Sequence, residues 1–252
     1  MTIESPTLQA PRQVQRVRHE LIRRELQVLR VEPVSPHFRR ITLGGEALEG
    51  FVSASFDDHL KLLLDLGTGA PVGRDYTPLR FDAAARELVL EFALHGVGPA
   101  AHWASQAQPG QQVTIGGPRG SFIVPLDYDW HLLVGDETAL PAITRRLEEL
   151  PATTRALVIV HVADPADQRA LTSRAALDVR WMASADALIA AVHALQLPLG
   201  EGYAWCAGEA ATTAELRRIL VSDKGHDRHA IRAAAYWKHG AIAHHENLED
   251  PK

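Results

Sequence analysis

The rhythm of apolar and polar positions changes near residue 125. Upstream of it lie short runs that alternate or stay apolar: 26–31 (LQVLRV), 39–45 (RRITLGG), 60–66 (LKLLLDL), 87–95 (ELVLEFALH) and 111–117 (QQVTIGG). Alternation with period two matches a pleat with one buried face, so each run reads as a strand. Pro33, Pro36, Gly44, Gly45, Gly67, Gly69, Pro109 and Gly110 punctuate them as turns. Residues 99–107 (PAAHWASQA) are the helical exception and open on a proline, which a first helical turn tolerates. Downstream, 131–135, 155–163, 177–183 and 202–208 are apolar almost throughout, as strands buried on both faces are. Between and after them, 138–150, 164–174, 186–197 and 209–222 read as helices, and 231–240 closes the set. Strand–helix alternation of this kind predicts a parallel α/β sheet. The fold class is therefore β followed by α/β: an antiparallel β domain over 17–125, an α/β domain over 130–242, and polar tails at 1–16 and 243–252.

Composition narrows the function classes. The chain has 252 residues, enough for two cores, and 46% hydrophobic with 23% charged residues excludes a disordered chain or a fibre. No uncharged apolar run reaches the roughly 18 residues that cross a bilayer. The first residues lack an apolar leader, so the expectation is a cytoplasmic protein without a membrane span. The single cysteine, Cys206, excludes an internal disulfide and any cysteine-built zinc or iron–sulfur site. A net charge of -5 argues against nucleic acid as a partner, and Arg12, Arg16, Arg18, Arg23 and Arg24 read as a solvated basic face. His226, His229, His239, His244 and His245 crowd the C-terminal end with no fixed carboxylate beside them, so no protein metal site is expected.

Four segments carry chemistry. In 74–80 (RDYTPLR), Arg74 offers a fork for phosphate, Tyr76 a flat face for an aromatic ring and Thr77 a hydroxyl for a ring nitrogen. An extended backbone would set Arg74 and Tyr76 on one side and Thr77 on the other; an exposed turn with two solubilising arginines is the alternative. In 94–103 (LHGVGPAAHW), a strand runs through a glycine turn into a helix, whose first N–H groups form an anion cradle. Trp103 reads as core. In 133–143 (LVGDETALPAI), a strand end meets a helix start, where open α/β sheets bind ligands, although Asp136 or Thr138 could equally cap the helix. Gly208 and Glu209 end another strand on the same edge, and the pair Tyr236 and Trp237 is either core or a cover for a flat ring. Cys206 lies in an apolar strand as a small hydrophobe, and no nucleophile elbow is present.

Taken in order, the stretches 57–62 (DDHLKL), 74–80 (RDYTPLR), 95–104 (HGVGPAAHWA), 117–122 (GPRGSF), 133–143 (LVGDETALPAI), 205–210 (WCAGEA) and 236–240 (YWKHG) resemble the siderophore-interacting protein family. These are flavin-dependent ferric-siderophore reductases of the ferredoxin-reductase superfamily, and the resemblance runs over about residues 17–240. It implies a six-stranded antiparallel FAD-binding β-barrel followed by a parallel-sheet NAD(P)H-binding domain. It implies FAD held by Arg74, Tyr76 and Thr77, by His95, Gly98, Pro99, Ala100 and Ala101 at the pyrophosphate and ring edge, and by Thr138 and Trp237. NADPH or NADH is implied against Gly135, Asp136, Glu137, Thr138, Gly208 and Glu209; the resemblance names no reader of a 2′-phosphate, for which Arg169 or Arg174, after the second strand of that domain, is a candidate by position alone. The flavin, not a catalytic side chain, would pass single electrons to a ferric siderophore or other ferric chelate, freeing Fe(II) in the cytoplasm. Many such chelates are anionic, so His59, Lys61, Arg119 and Lys238 would form a basic mouth. A flavin reductase, a ferredoxin-coupled oxidoreductase on the same fold, and a non-catalytic ferric-siderophore binder are the competing readings.

Overall fold

The computed structural model describes residues 12–67, 69–94, 98–241 and 246–248. The first half carries β1 (Gln15–Arg18), β2 (Arg23–Ser35), β3 (Phe38–Gly44), β4 (Leu60–Leu64), β5 (Val72–Tyr76), β6 (Arg80–Asp82), β7 (Glu87–Ala93), α1 (Pro99–Gln106), β8 (Gln112–Gly116) and β9 (Gly120–Ile123). The second half carries β10 (Trp130–Asp136), α2 (Leu140–Glu149), β11 (Arg155–His161), β12 (Ala176–Met182), α3 (Ala185–Ala194), β13 (Gly202–Glu209), α4 (Ala210–Arg218), β14 (Ile231–Trp237) and β15 (Glu246–Asn247).

Seven antiparallel strands in the order β5-β4-β8-β2-β3-β7-β6 make the barrel-like sheet. The expected six strands are joined by β6, a three-residue strand paired along β7. Along the first half of β2 exposed and buried positions alternate, sending Leu26 and Val28 into a core shared with Ile41, Leu62, Leu90 and Ile115. The segment assigned to an N-terminal tail overlaps a strand: Gln15 and Arg16 begin β1, which pairs antiparallel with β9.

The second sheet runs β12-β11-β10-β13-β14-β15, parallel except for β15. β10 is buried along its whole length, as its unbroken apolar run requires. α3 and α4 cover one face through Leu188, Val192 and Leu216. The other face packs on α2 and reaches the first half, where Phe38, Phe56 and Val124 join Ile143, Val158 and Trp205 in one core. Cys206 is fully buried on the α3–α4 face as a small hydrophobe, and burial pushes its thiol up to about 12.

The helix expected over 164–174 does not form. A three-residue 3₁₀ turn, Pro165–Asp167, stands in its place, capped by Asp164, whose carboxylate accepts from Ala166 N at 2.8 Å. The side chains that would have faced out are drawn into long-range bonds instead. Asp167 accepts from Ser35 Oγ at 2.6 Å and from His37 N at 3.1 Å, while Ser173 Oγ donates to the Leu147 carbonyl at 2.6 Å. Further bonds cross between the halves. Arg145 donates to Ser53 Oγ and the Pro78 carbonyl at 2.8 and 2.9 Å, and Arg80 pairs with Glu148. Among the described residues no helix is long and apolar enough to cross a membrane.

Candidate active site

The end of β5, the start of α1 and the C-terminal ends of β10 and β14 enclose a cavity of about 670 Å³ between the two halves. It lies outside the carboxyl edge of the parallel sheet, where open α/β sheets place their ligands.

The barrel wall is made first by β5. Arg74, Tyr76 and Thr77 all line the cavity. The expected split of Thr77 to the opposite side is absent because the strand, and with it the alternation, ends at Tyr76. Arg74 spends one N–H on the neighbouring Gly73 carbonyl at 2.8 Å and meets no carboxylate among the described residues. Tyr76 rests on Phe92 with ring centroids 4.3 Å apart, and Phe92 rests on Trp103 at 5.5 Å; Trp103, read as core, is partly buried and packs against the barrel core. Burial pushes the Tyr76 phenol upward, only partly offset by Arg74, so it stays neutral. Gly98, Pro99, Ala100 and Ala101 continue the wall into the first turn of α1. Gly98 has an ordinary φ of -73°, and a Cβ there would meet nothing within 4 Å. Among the described residues neither backbone strain nor packing explains that glycine, and no side chain caps the helix start; first-turn N–H groups, which have no intrahelical partner, suit an approaching phosphate. His95, with Gly96 and Val97, lies outside the described residues.

The opposite wall is built differently. Asp136, Glu137, Thr138 and Trp237 line the cavity; Gly135, Gly208 and Glu209 do not. Asp136 Oδ1 accepts from Thr138 N at 2.9 Å and Thr138 Oγ1 at 2.5 Å. Its Oδ2 accepts from Glu209 N at 2.9 Å and Trp237 Nε1 at 2.8 Å. The capping role is thus real, and the same carboxylate also ties β10, β13 and β14 together. Gly135 is required by packing, since a Cβ would lie 2.3 Å from the Ala207 carbonyl and 2.6 Å from Ala139 Cβ. Gly208 holds a φ of +144° and would place a Cβ 2.5 Å from Asp136 Oδ2. Glu209 caps α4, accepting from Ala211 N and Thr212 N at 2.7 and 3.0 Å.

Of the residues expected to form a basic mouth, His59, Lys61 and Lys238 line the cavity. Lys61 is neutralised by Asp75, with Nζ at 2.9 and 3.1 Å from its two oxygens. Arg119 does not line the cavity; it sits exposed in the β8–β9 turn, whose carbonyl accepts from His19 N at 2.9 Å. Arg169 does not line the cavity; it lies over the Phe38 ring and donates to the buried Glu91 at 2.6 Å, which also accepts from Arg40. Arg174 is exposed and away from the cavity wall.

Pattern reading missed Glu91 and Phe38 at the cavity floor, and Tyr236 as a polar member of its wall. Tyr236 donates to Asp57 at 3.1 Å across 179 residues, and no local signal announces that pairing. Among the described residues no group of three or more histidine, cysteine, aspartate or glutamate side chains is placed to hold a metal.

A barrel-like antiparallel sheet joined to a parallel sheet, with a cleft between them, defines the class of FAD/NAD-binding reductase folds. A flavohemoglobin from Malassezia yamatoensis shares that fold at a TM-score of 0.68, with 15% identity, over 88% of this chain and 62% of its own. Within that class the chain belongs to the siderophore-interacting protein family. The family's siderophore-interacting protein model matches residues 128–240, and its siderophore-interacting FAD-binding domain matches 27–69 and 67–122. The chain is 41% identical over 249 residues to an NADPH-dependent ferric-chelate reductase of Escherichia coli, covering 90% of this chain and 97% of that protein. It is 32% identical over 251 residues to a ferric vibriobactin reductase of Vibrio cholerae, covering 88% and 93% respectively. A siderophore utilization protein from T. fusca superposes with a TM-score of 0.83 at 32% identity, over 95% of this chain and 99% of its own.

Proposed function

We propose that this chain reduces ferric siderophores or related ferric chelates, with FAD as its resident cofactor and NADPH as electron donor. The observation that carries the reading is the barrel wall: among the described residues, Arg74 has no carboxylate partner and lies beside a helix start whose glycine has nothing within 4 Å of a Cβ position. That pairing suits the phosphates of a dinucleotide. Bound FAD would supply the conversion of a two-electron hydride into the single electrons that Fe(III) accepts.

The chain's own residues bind and orient. Arg74, with the N–H groups of Ala100 and Ala101, holds phosphate, while Gly98 and Pro99 leave room for it. Tyr76, braced by Phe92, supplies one stacking face, and Trp237, pinned by Asp136, supplies the other. Thr77 meets the ring edge. Thr138, Glu137 and Trp237 front the nicotinamide, whereas Asp136, Gly135, Gly208 and Glu209 shape that wall from behind. His59 and Lys238 draw an anionic chelate to the mouth, and Lys61 shares its charge with Asp75. Ferrous iron is held weakly by hard oxygen donors, so reduction itself releases it; we place this step in the cytoplasm, where reduced nicotinamide is made. The names of the Escherichia coli and Vibrio cholerae relatives support substrate class and donor.

The test is a ferrous-trapping assay on FAD-loaded protein with several ferric chelates, driven in parallel by NADPH, NADH and reduced ferredoxin. NADPH-driven Fe(II) formation is expected. Turnover only with ferredoxin would reassign the donor, and chelate binding without Fe(II) from any donor would make the chain a carrier.

A further inference from the structure

One edge of the parallel sheet is bare. β12 pairs with β11 along all seven of its residues and, among the described residues, with nothing on its other side. In a parallel pair each residue turns both of its backbone groups to the same side. Ala176 N donates to the Thr154 carbonyl at 3.0 Å, and the Met182 carbonyl accepts from Val162 N at 3.2 Å. Ala176, Asp178, Arg180 and Met182 therefore bond to β11, and the N–H and C=O groups of Leu177, Val179 and Trp181 point out of the sheet. Exposed edges are usually blunted by proline, lysine, a bulge or brevity, and β12 has none of these.

The side chains of β12 are complementary to their own copy. Leu177, Val179 and Trp181 share the face that packs on the core beneath α2, and all three are only partly buried. Asp178 and Arg180 share the opposite face, joined to each other at 3.0 Å, with side chains 35% and 43% exposed. An antiparallel copy centred on Val179 sets Asp178 opposite Arg180, Leu177 opposite Trp181 and Ala176 opposite Met182. Val179 then exchanges both backbone bonds with its own copy, and Leu177 exchanges both with Trp181. Asp178 and Arg180 meet at the non-hydrogen-bonded positions, where cross-strand side chains approach most closely. Centres at Asp178 or Arg180 fail twice, because they oppose like charges and their backbone groups are spent on β11. Centres at Leu177 or Trp181 set Asp178 against Ala176 or Arg180 against Met182. Strand β1 has the opposite character: a copy centred on Val17 would set Arg16 against Arg18.

We propose that β12 is the contact of a two-fold homodimer, in which the parallel sheets of two copies join antiparallel across Val179. The occupant is a second copy because the edge is self-complementary: charges, apolar residues and outward backbone groups all match in one register. β12 lies two strands from β10 and adds no residue to the cavity wall, so each copy keeps its cavity open. The contact is independent of the cofactor, and one strand from each copy makes it small and reversible.

The experiment is sedimentation velocity of the full chain over a micromolar concentration series, in which a reversible dimer is expected. Asp178→Arg or Arg180→Asp alone turns both charge pairs of the contact into like pairs and should weaken dimerisation about tenfold. Both changes in one chain exchange the charges and should restore the wild-type dissociation constant. Mixing the two single variants should give a heterodimer tighter than either variant's own dimer. Both side chains lie at the surface, so the variants should keep the wild-type melting curve. Hydrogen exchange on the wild type decides the matter if a variant does not fold: the Leu177, Val179 and Trp181 amides should gain protection as concentration rises. A monomer at every concentration, a dimer indifferent to the charge variants, or a dimer whose three outward amides gain no protection would overturn the proposal.

Discussion

The two walls of the cavity hold similar inventories of polar residues and glycines, but they use them in opposite ways. Among the described residues on the barrel side, Arg74 has no carboxylate partner, a Cβ on Gly98 would meet nothing within 4 Å, and no side chain caps the start of α1. On the α/β side, the Asp136 carboxylate accepts four hydrogen bonds, Glu209 caps a helix, and Gly135 and Gly208 are wedged against backbone and side chain. One wall is left open for a ligand, and the other is spent on holding itself together. The lesson is that a motif residue at a strand end carries binding only if the fold has not already consumed it.

Paired glycine substitutions put the contrast to its hardest test. Gly135→Ala forces a methyl into the Ala207 carbonyl and should cost about 3 kcal/mol of stability, read as a lower denaturation midpoint in the apoprotein. Gly98→Ala should leave that midpoint within about 0.5 kcal/mol while weakening FAD binding. Reversal of the two phenotypes would break the comparison.

A pH effect comes next in size. His131 of β10 is fully buried, with no hydrogen-bond partner for either ring nitrogen among the described residues. Burial first, and the Arg146 charge second, push its imidazole down to about 3. Between that value and the ordinary imidazole value near 6.5, the unfolded chain binds a proton that the folded chain refuses, so stability falls as pH drops through this window. His131→Phe should remove about 2 kcal/mol of that loss at pH 5 and change the pH 8 value little, measured by urea denaturation at both pH values. An equal slope in both proteins would contradict the assignment. The smallest effect is Glu209→Ala, which deletes the α4 cap and should cost about 1 kcal/mol of stability with little change in KM for NADPH. A raised KM with unchanged stability would return Glu209 to the cofactor.

The strands were legible wherever burial was two-sided or strictly alternating, as in β10, β13 and the start of β2. The helix over 164–174 was misread because its polar residues look helical in isolation. In the fold, Asp167 and Arg169 serve Ser35, His37 and Glu91 more than 70 residues away, which local periodicity cannot encode. For the same reason Arg169 looked like a free cation, Lys61 looked unneutralised, and Tyr236 looked like core or cover. Residue types at the barrel wall were readable in order along the chain; which groups remained unspent was a property of three dimensions.

The central claim is that the open barrel wall holds FAD through Arg74. Titrating apoprotein with FAD, following flavin fluorescence, compares wild type with Arg74→Ala at matched stability. Loss of the charge-assisted contacts should weaken binding about a hundredfold while the apoprotein melting curve stays in place. Equal FAD affinity in the two proteins would contradict the account.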